Sequence, residues 1–290
     1  MTTGIGAMKA PILLAFLCTS LGCEASPTPG ANDSSALGSR SVRASTPPTD
    51  TLSVPVGWSS VPPPAPESEE ARCANWSREA WKVSADGKKL LILADSGEKS
   101  ADTVAVPGGK LTSIDHGEFG GQVWWEPTDG RRTKIAETNL LAFASTEAGL
   151  FGLAGLAHLS INEGELVRFD RVSAGTWRIQ HVSDLHGAPY AFTILPNRRI
   201  LVVTSGALVE ASLEGTVHTL HQNRVWSFTY PRSVVQDGSG TVYIGMRSAV
   251  ARLTSEGGRY REDWLVPPNC PKRRSVGSSS ECACVANNQR

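Results

Sequence analysis

The side chains in this sequence that could carry chemistry are its histidines, its cysteines and a few aromatic residues beside turns. His116, His158, His181, His186, His218 and His221 are scattered along the chain. His218 and His221 sit three apart, and His181, Asp184 and His186 lie together before Pro189. A neutral imidazole is a common metal ligand. No HExxH pair, Walker loop or GxSxG nucleophile turn accompanies these residues, however. Solvated loop histidines are the expectation, with no metal site, no cofactor and no catalytic residue assigned.

The aromatic residues offer more. His186-Gly187-Ala188-Pro189-Tyr190 and Trp226-Ser227-Phe228-Thr229-Tyr230-Pro231 lead into two similar stretches. Rings with one polar tip are common in binding surfaces. His186, Tyr190, Trp226 and Tyr230 are therefore the candidate ligand-binding set, with core packing as the competing reading. Trp124 and Trp125 adjoin on an expected strand, so they should face opposite sides.

Cys73 opens the ordered part, and Cys270, Cys282 and Cys284 close it. In an exported protein such thiols are expected as disulfides. Four cysteines allow three pairings. Cys73 is expected to join one of the C-terminal cysteines, foremost Cys270. A zinc site from Cys270, Cys282 and Cys284 fits no familiar ligand spacing.

Export is read from the beginning of the chain. Met8-Lys9 and the run from Ala10 to Leu17 make a positive n-region and a short apolar segment, with Met8 as the expected start. The run is too short for a stable membrane-spanning helix. The stretch Thr19-Ser20-Leu21-Gly22-Cys23 then resembles the lipobox of bacterial lipoproteins, with Ser20 and Leu21 departing from its usual residues. That resemblance implies a signal peptide over residues 1–22 and an acylated Cys23 as the mature N-terminus. It also implies a lipid-anchored place in the cell envelope, at the outer membrane or facing the periplasm. Cys18 belongs to the same export signal.

Residues 23–71 hold nine of the 18 prolines, ten serines and four threonines, and end in Glu67, Glu69 and Glu70. Such a composition buries too little apolar surface to offset its ordering entropy. The segment is expected to be a disordered tether. A folded domain over residues 72–270 and a cysteine-containing tail over 271–290, with Lys272-Arg273-Arg274 solvated, should follow. Basic and acidic residues balance at 28 each, which gives no case for nucleic acid.

The domain repeats weakly. The stretches 188–211, 230–253 and 140–160 each run through short apolar segments and polar turns. Asp129-Gly130, Glu163-Gly164, Glu214-Gly215 and Glu256-Gly257 read as hairpin turns. Their spacings of 34, 51 and 42 residues average near the length of a four-stranded propeller blade. Gly149, Gly152 and Gly155 leave a helix open for residues 148–159, although each glycine would cost it about 1 kcal/mol.

The stretch Asp237-Gly238-Ser239-Gly240-Thr241-Val242-Tyr243-Ile244-Gly245 resembles the blade hairpin of NHL, gluconolactonase-like and two-component-regulator propellers. The likeness covers about half of residues 74–268. It implies an all-β, small propeller-like domain of about four to five blades. An irregular β-barrel or sandwich is the structural alternative.

The primary functional expectation is a membrane-anchored binding or interaction module for a protein, a glycan or a small ligand. The gluconolactonase resemblance implies the alternative, a metal-dependent lactone hydrolase. The Glu, Asn and Asp ligand set of those enzymes maps onto no residues of this chain. A purely structural envelope role is the third reading.

Overall fold

The computed structural model describes residues 42–43, 51–96, 101–173, 175–270, 272–275 and 282–285. Strands β1 (Val42–Arg43) and β2 (Ser59–Val61) and helix α1 (Glu69–Trp76) precede the repeats. Blade 1 is the hairpin β3 (Trp81–Asp86) and β4 (Lys89–Ala94). Blade 2 comprises β5 (Asp102–Val106), β6 (Gly109–Asp115), β7 (Gly121–Pro127) and β8 (Thr133–Ala136). Blade 3 comprises β9 (Leu140–Thr146), β10 (Gly149–His158), β11 (Ile161–Ser173) and β12 (Thr176–Asp184). Blade 4 comprises β13 (Pro189–Ile194), β14 (Ile200–Thr204), β15 (Ala207–Ala211) and β16 (Val217–Gln222). The short helix α2 (Trp226–Thr229) leads to blade 5, which comprises β17 (Ser233–Gln236), β18 (Val242–Gly245), β19 (Val250–Glu256) and β20 (Arg259–Val266). A final hairpin pairs β21 (Lys272–Ser275) with β22 (Cys282–Val285).

Within each blade the strands follow one another as an antiparallel meander. The first strand of every blade lines one shared cavity. The protein is a five-bladed β-propeller, with its first blade reduced to two strands. Four hydrophobic clusters hold the blades together, at the junctions 2/3, 3/4, 4/5 and 5/1. Among the described residues no such cluster spans blades 1 and 2.

Local sequence explains these elements. β14 and β18 are sandwiched between neighbouring blades, so each is buried along its whole length and reads as an unbroken apolar run. β15 buries Val209 and Ala211 but leaves Glu210 to meet Arg199. A Cβ at Gly245 would lie 2.5 Å from the Trp81 carbonyl oxygen, so the absence of a side chain lets blade 5 close on blade 1. The glycines of residues 148–159 belong to a strand. A Cβ at Gly152 would strike Leu140 and Phe169 of the flanking strands.

The turn assignments need one correction. Glu163-Gly164 lies inside β11, where it pairs with Leu156 and Gly155 of β10. The corresponding turn of blade 3 holds Gly175. Gly130, Gly175, Gly215 and Gly257 then recur at 45, 40 and 42 residues, a steadier period than the acid-Gly pairs suggested.

The expected tether is also corrected where it is described. β1 pairs in parallel with β9, and β2 adds a fifth strand to β20. Ser53 bridges Lys89 at the outer side of β4, and Leu52 is buried. The Trp58 ring meets Trp81 edge-on at 5.0 Å. Leu52, Val54 and Trp58 supply enough apolar surface for local order, which a composition averaged over the Pro- and Ser-rich window conceals. The acidic cluster is a helix start. The Ser68 hydroxyl accepts from the Ala71 N–H at 3.1 Å, with Glu69 and Glu70 in the first turn of α1. Cys23 and the export signal lie outside the described residues.

Two disulfides tie the ends. Cys73 of α1 bonds Cys282 of β22, and Cys270 bonds Cys284. The expected Cys73–Cys270 pairing is thus corrected. The β21–β22 hairpin carries Cys282 to α1, while Cys284, two residues on, meets Cys270. Lys272, Arg273 and Arg274 lie in β21, whose backbone pairs with β22.

Candidate binding site

One face of the propeller gathers the starts of the first strands, the ends of the second strands and the loops that join the blades. Ser233 pairs with Gly245 there, Pro189 with Thr204 and Asp102 with Ser113. The central cavity, about 1250 Å³, opens among these loops. Among the described residues, four of the six non-glycine residues with positive φ sit on this face: Leu159, His186, Tyr230 and Ser248. Backbone strain of this kind concentrates where loops are held for function.

Tyr190, at the start of blade 4, and Tyr230, just before blade 5, both line the cavity, with ring centroids 6.1 Å apart. Tyr230 takes a left-handed conformation (φ 49°) as the C-cap of α2, and this turns the chain out of the helix towards β17. Burial pushes the Tyr190 phenol up to about 12, and the adjacent Tyr230 adds to the shift. Tyr190 is therefore a neutral hydrogen-bond donor at physiological pH. The guanidinium carbon of Arg247 lies 4.6 Å from the Tyr230 ring centroid.

Charged groups flank the tyrosines. Lys82 Nζ lies 2.7 Å from Asp95, whose side chain is only 4% exposed. Arg232 Nε is 3.9 Å from the same carboxylate. Across the cavity, His158 Nε2 lies 2.5 Å from Glu118 and links the loops of blades 3 and 2. The mouth thus has a tyrosine- and cation-bearing side and an acid–imidazole side. It presents two aromatic rings, a phenol donor and paired charges.

The expected site residues divide. Tyr190 and Tyr230 meet at the mouth. His186 is exposed in the loop before blade 4, outside the cavity wall. Trp226 is fully buried between blades 4 and 5, so its placement corrects the expectation of a surface ring. It donates to Glu262, 3.1 Å away. That carboxylate, 4% exposed, also meets His221 (2.8 Å), Asn223 (2.8 and 2.9 Å) and Trp264 (2.7 Å). His221 is thereby half-buried, a correction to its reading as a solvated loop residue. Trp124 and Trp125 do face apart. Trp125 is core, and Arg132 covers the Trp124 ring at 3.9 Å.

Sequence reasoning missed Lys82, Asp95, Arg232 and Arg247. Lys82 and Asp95 sit in the blade that aligns with no repeat. Arg232 follows Tyr230-Pro231 directly, and that proximity was the available signal. Among the described residues no three His, Cys, Asp or Glu side chains lie close enough together to hold a metal ion. No helix among them is long and apolar enough to cross a membrane.

No protein-family model matches the chain, and no curated protein matches it. Solved structures do resemble it. A virginiamycin B lyase from Staphylococcus aureus, crystallised as an inactive variant with quinupristin, is 12% identical, with 78% of this chain and 72% of that one covered and a TM-score of 0.33. A glucose dehydrogenase is 14% identical over 67% of this chain and 89% of its own, with a TM-score of 0.40. A gluconolactonase-like protein is 14% identical over 74% and 83%, with a TM-score of 0.37.

Proposed function

We propose that this protein is an exported, lipid-anchored binding module whose propeller takes a small polar ligand at the mouth of its central cavity. The observation that carries the reading is the Tyr190–Tyr230 pair at the opening of a cavity walled by the first strands of all five blades. A concave site with a few convergent polar groups is the usual form of a ligand pocket. The strained loops around it fit a face shaped for recognition. The short apolar run and Gly22-Cys23 support the anchor.

The test is a thermal-shift screen of saccharides and short peptides on the full chain, followed by binding titrations of the hits. Tyr190→Ala and Tyr230→Ala should each weaken a true hit about tenfold, or about 1.4 kcal/mol. A hit indifferent to both substitutions would move the site elsewhere. Elemental analysis of the same protein separates the hydrolase alternative. Stoichiometric metal together with lactone turnover would replace the binding reading. Cys23→Ser should release the protein from the membrane fraction, and continued partitioning would remove the lipid anchor from the proposal.

A further inference from the structure

Adjoining the central cavity at Asp95 and Arg232 lies a second hollow, of about 400 Å³. Trp76 and Arg78, at and just beyond the end of α1, form one wall. Asp95 after β4 forms another, and Arg232 and Arg247 of blade 5 close it. Three arginines therefore line the hollow with one carboxylate, which lies 3.9 Å from Arg232 and has Lys82 at 2.7 Å.

The three arginines are engaged to different degrees. Arg247 is fixed in place: its Nη1 donates to the Asn75 carbonyl oxygen at 2.5 Å, and it lies against Tyr230. Arg78 is exposed and makes no ion pair among the described residues. Arg232 is only loosely paired. Its buried Nε has no hydrogen-bond acceptor among the described residues, and its nearest carboxylate oxygen is at 3.9 Å. Leaving a buried charged donor without an acceptor is unfavourable. A guanidinium presents its donors in a planar fork that matches a carboxylate. Beside that fork the Trp76 indole is 64% exposed, although indoles are usually covered.

We infer that this hollow binds the carboxylate of a small ligand through Arg232, with Arg78 and Arg247 adding positive field and Trp76 stacking on a planar ring that carries the acid. The inference rests on the reading of the mouth as a binding site and extends it. Arg232 is shared by both hollows, so a ligand whose body lies near Tyr190 and Tyr230 can place its acid here.

The test uses the full chain at fixed ionic strength, with benzoate as probe and benzamide as its neutral counterpart, read by tryptophan fluorescence and calorimetry. Benzoate should bind with a Kd of about 1 mM, and benzamide at least about tenfold more weakly. Arg232→Gln should weaken benzoate about tenfold, and Arg232→Lys less. Arg78→Ala, at an exposed position that leaves folding undisturbed, should weaken it about two- to threefold and reduce its salt dependence. Trp76→Ala should remove the fluorescence response together with affinity. Equal binding of benzoate and benzamide, lost in Tyr190→Ala and kept in Arg232→Gln, would overturn the carboxylate site while leaving the mouth intact. No benzoate binding to the unaltered chain at about 10 mM would also overturn it. The mouth itself stands or falls by its own ligand screen.

Discussion

Glu262 shows how much a single side chain can hold. Its carboxylate gathers an imidazole, an amide and two indoles from β16, the turn into α2, α2 itself and β20, all within 3.1 Å. Removing it strands several buried donors at once, a situation that costs far more than the loss of one hydrogen bond. Glu262→Ala should lower unfolding stability by about 3–5 kcal/mol in urea titrations, and Glu262→Gln by less. A loss below about 1 kcal/mol would show that water replaces the carboxylate freely. The network was partly readable in advance. In Tyr260-Arg261-Glu262-Asp263-Trp264 the period of two puts Glu262 on the same face as Tyr260 and Trp264, and an acid on an aromatic face calls for partners. Its partner His221 was not readable, because it lies 41 residues away and only the stacking of blade 5 on blade 4 brings it close.

At the scale of elements, β2 determines how the ring closes. It covers the outer edge of β20, which would otherwise present unpaired backbone groups. Asp263 fastens it, accepting from Arg252 (2.5 and 3.0 Å) and from the Ser60 hydroxyl. Burial raises the Asp263 carboxyl, but the Arg252 and Ser60 hydrogen bonds outweigh burial and hold it below the usual range. A carboxyl lowered in the folded state adds stability above its unfolded value of about 3.9 and loses it as pH falls through the lower folded value. Melting temperatures should therefore drop more steeply below about pH 4 in the unaltered protein than in Asp263→Asn. Parallel curves would mean that the clasp does not depend on this charge. The strands of blades 4 and 5 were legible, since Ile200–Thr204 and Val242–Gly245 are β-branched and bounded by turns. β2 was hidden, because three residues after a glycine and before a run of prolines carry no periodicity.

For the whole molecule, the fold class was visible in the recurrence of turns, and the blade count only in the structure. Blade 1 has two strands instead of four, so no period could reveal it. The cavity wall takes two of the four expected site residues for a similar reason. Tyr190 is the second residue of the first strand of blade 4 and Tyr230 comes just before that of blade 5, so both stand at the opening, whereas Trp226 lies in a four-residue helix and is buried between blades 4 and 5. The covalent ties act at this scale too. The Cys73–Cys282 bridge spans 209 residues, and in the chain-entropy model closing such a loop contributes about 5 kcal/mol. Cys73→Ser should lower stability by about 3–5 kcal/mol under oxidising conditions and make no difference once a reductant is present. An unchanged denaturation midpoint would show that the noncovalent clasp suffices.

The pairing of β2 with β20 also sets a timetable. Ser59 meets Val266, so the joint between blades 5 and 1 cannot form until nearly all of the chain has emerged from the ribosome. Blades 2 to 4 can assemble from local hairpins, but the hollow beside Arg232 needs residues 76–95 and 232–247 together and is among the last features to appear. Until that last strand pairs, the assembled blades remain an open array, exposed at both ends to mispairing and proteolysis.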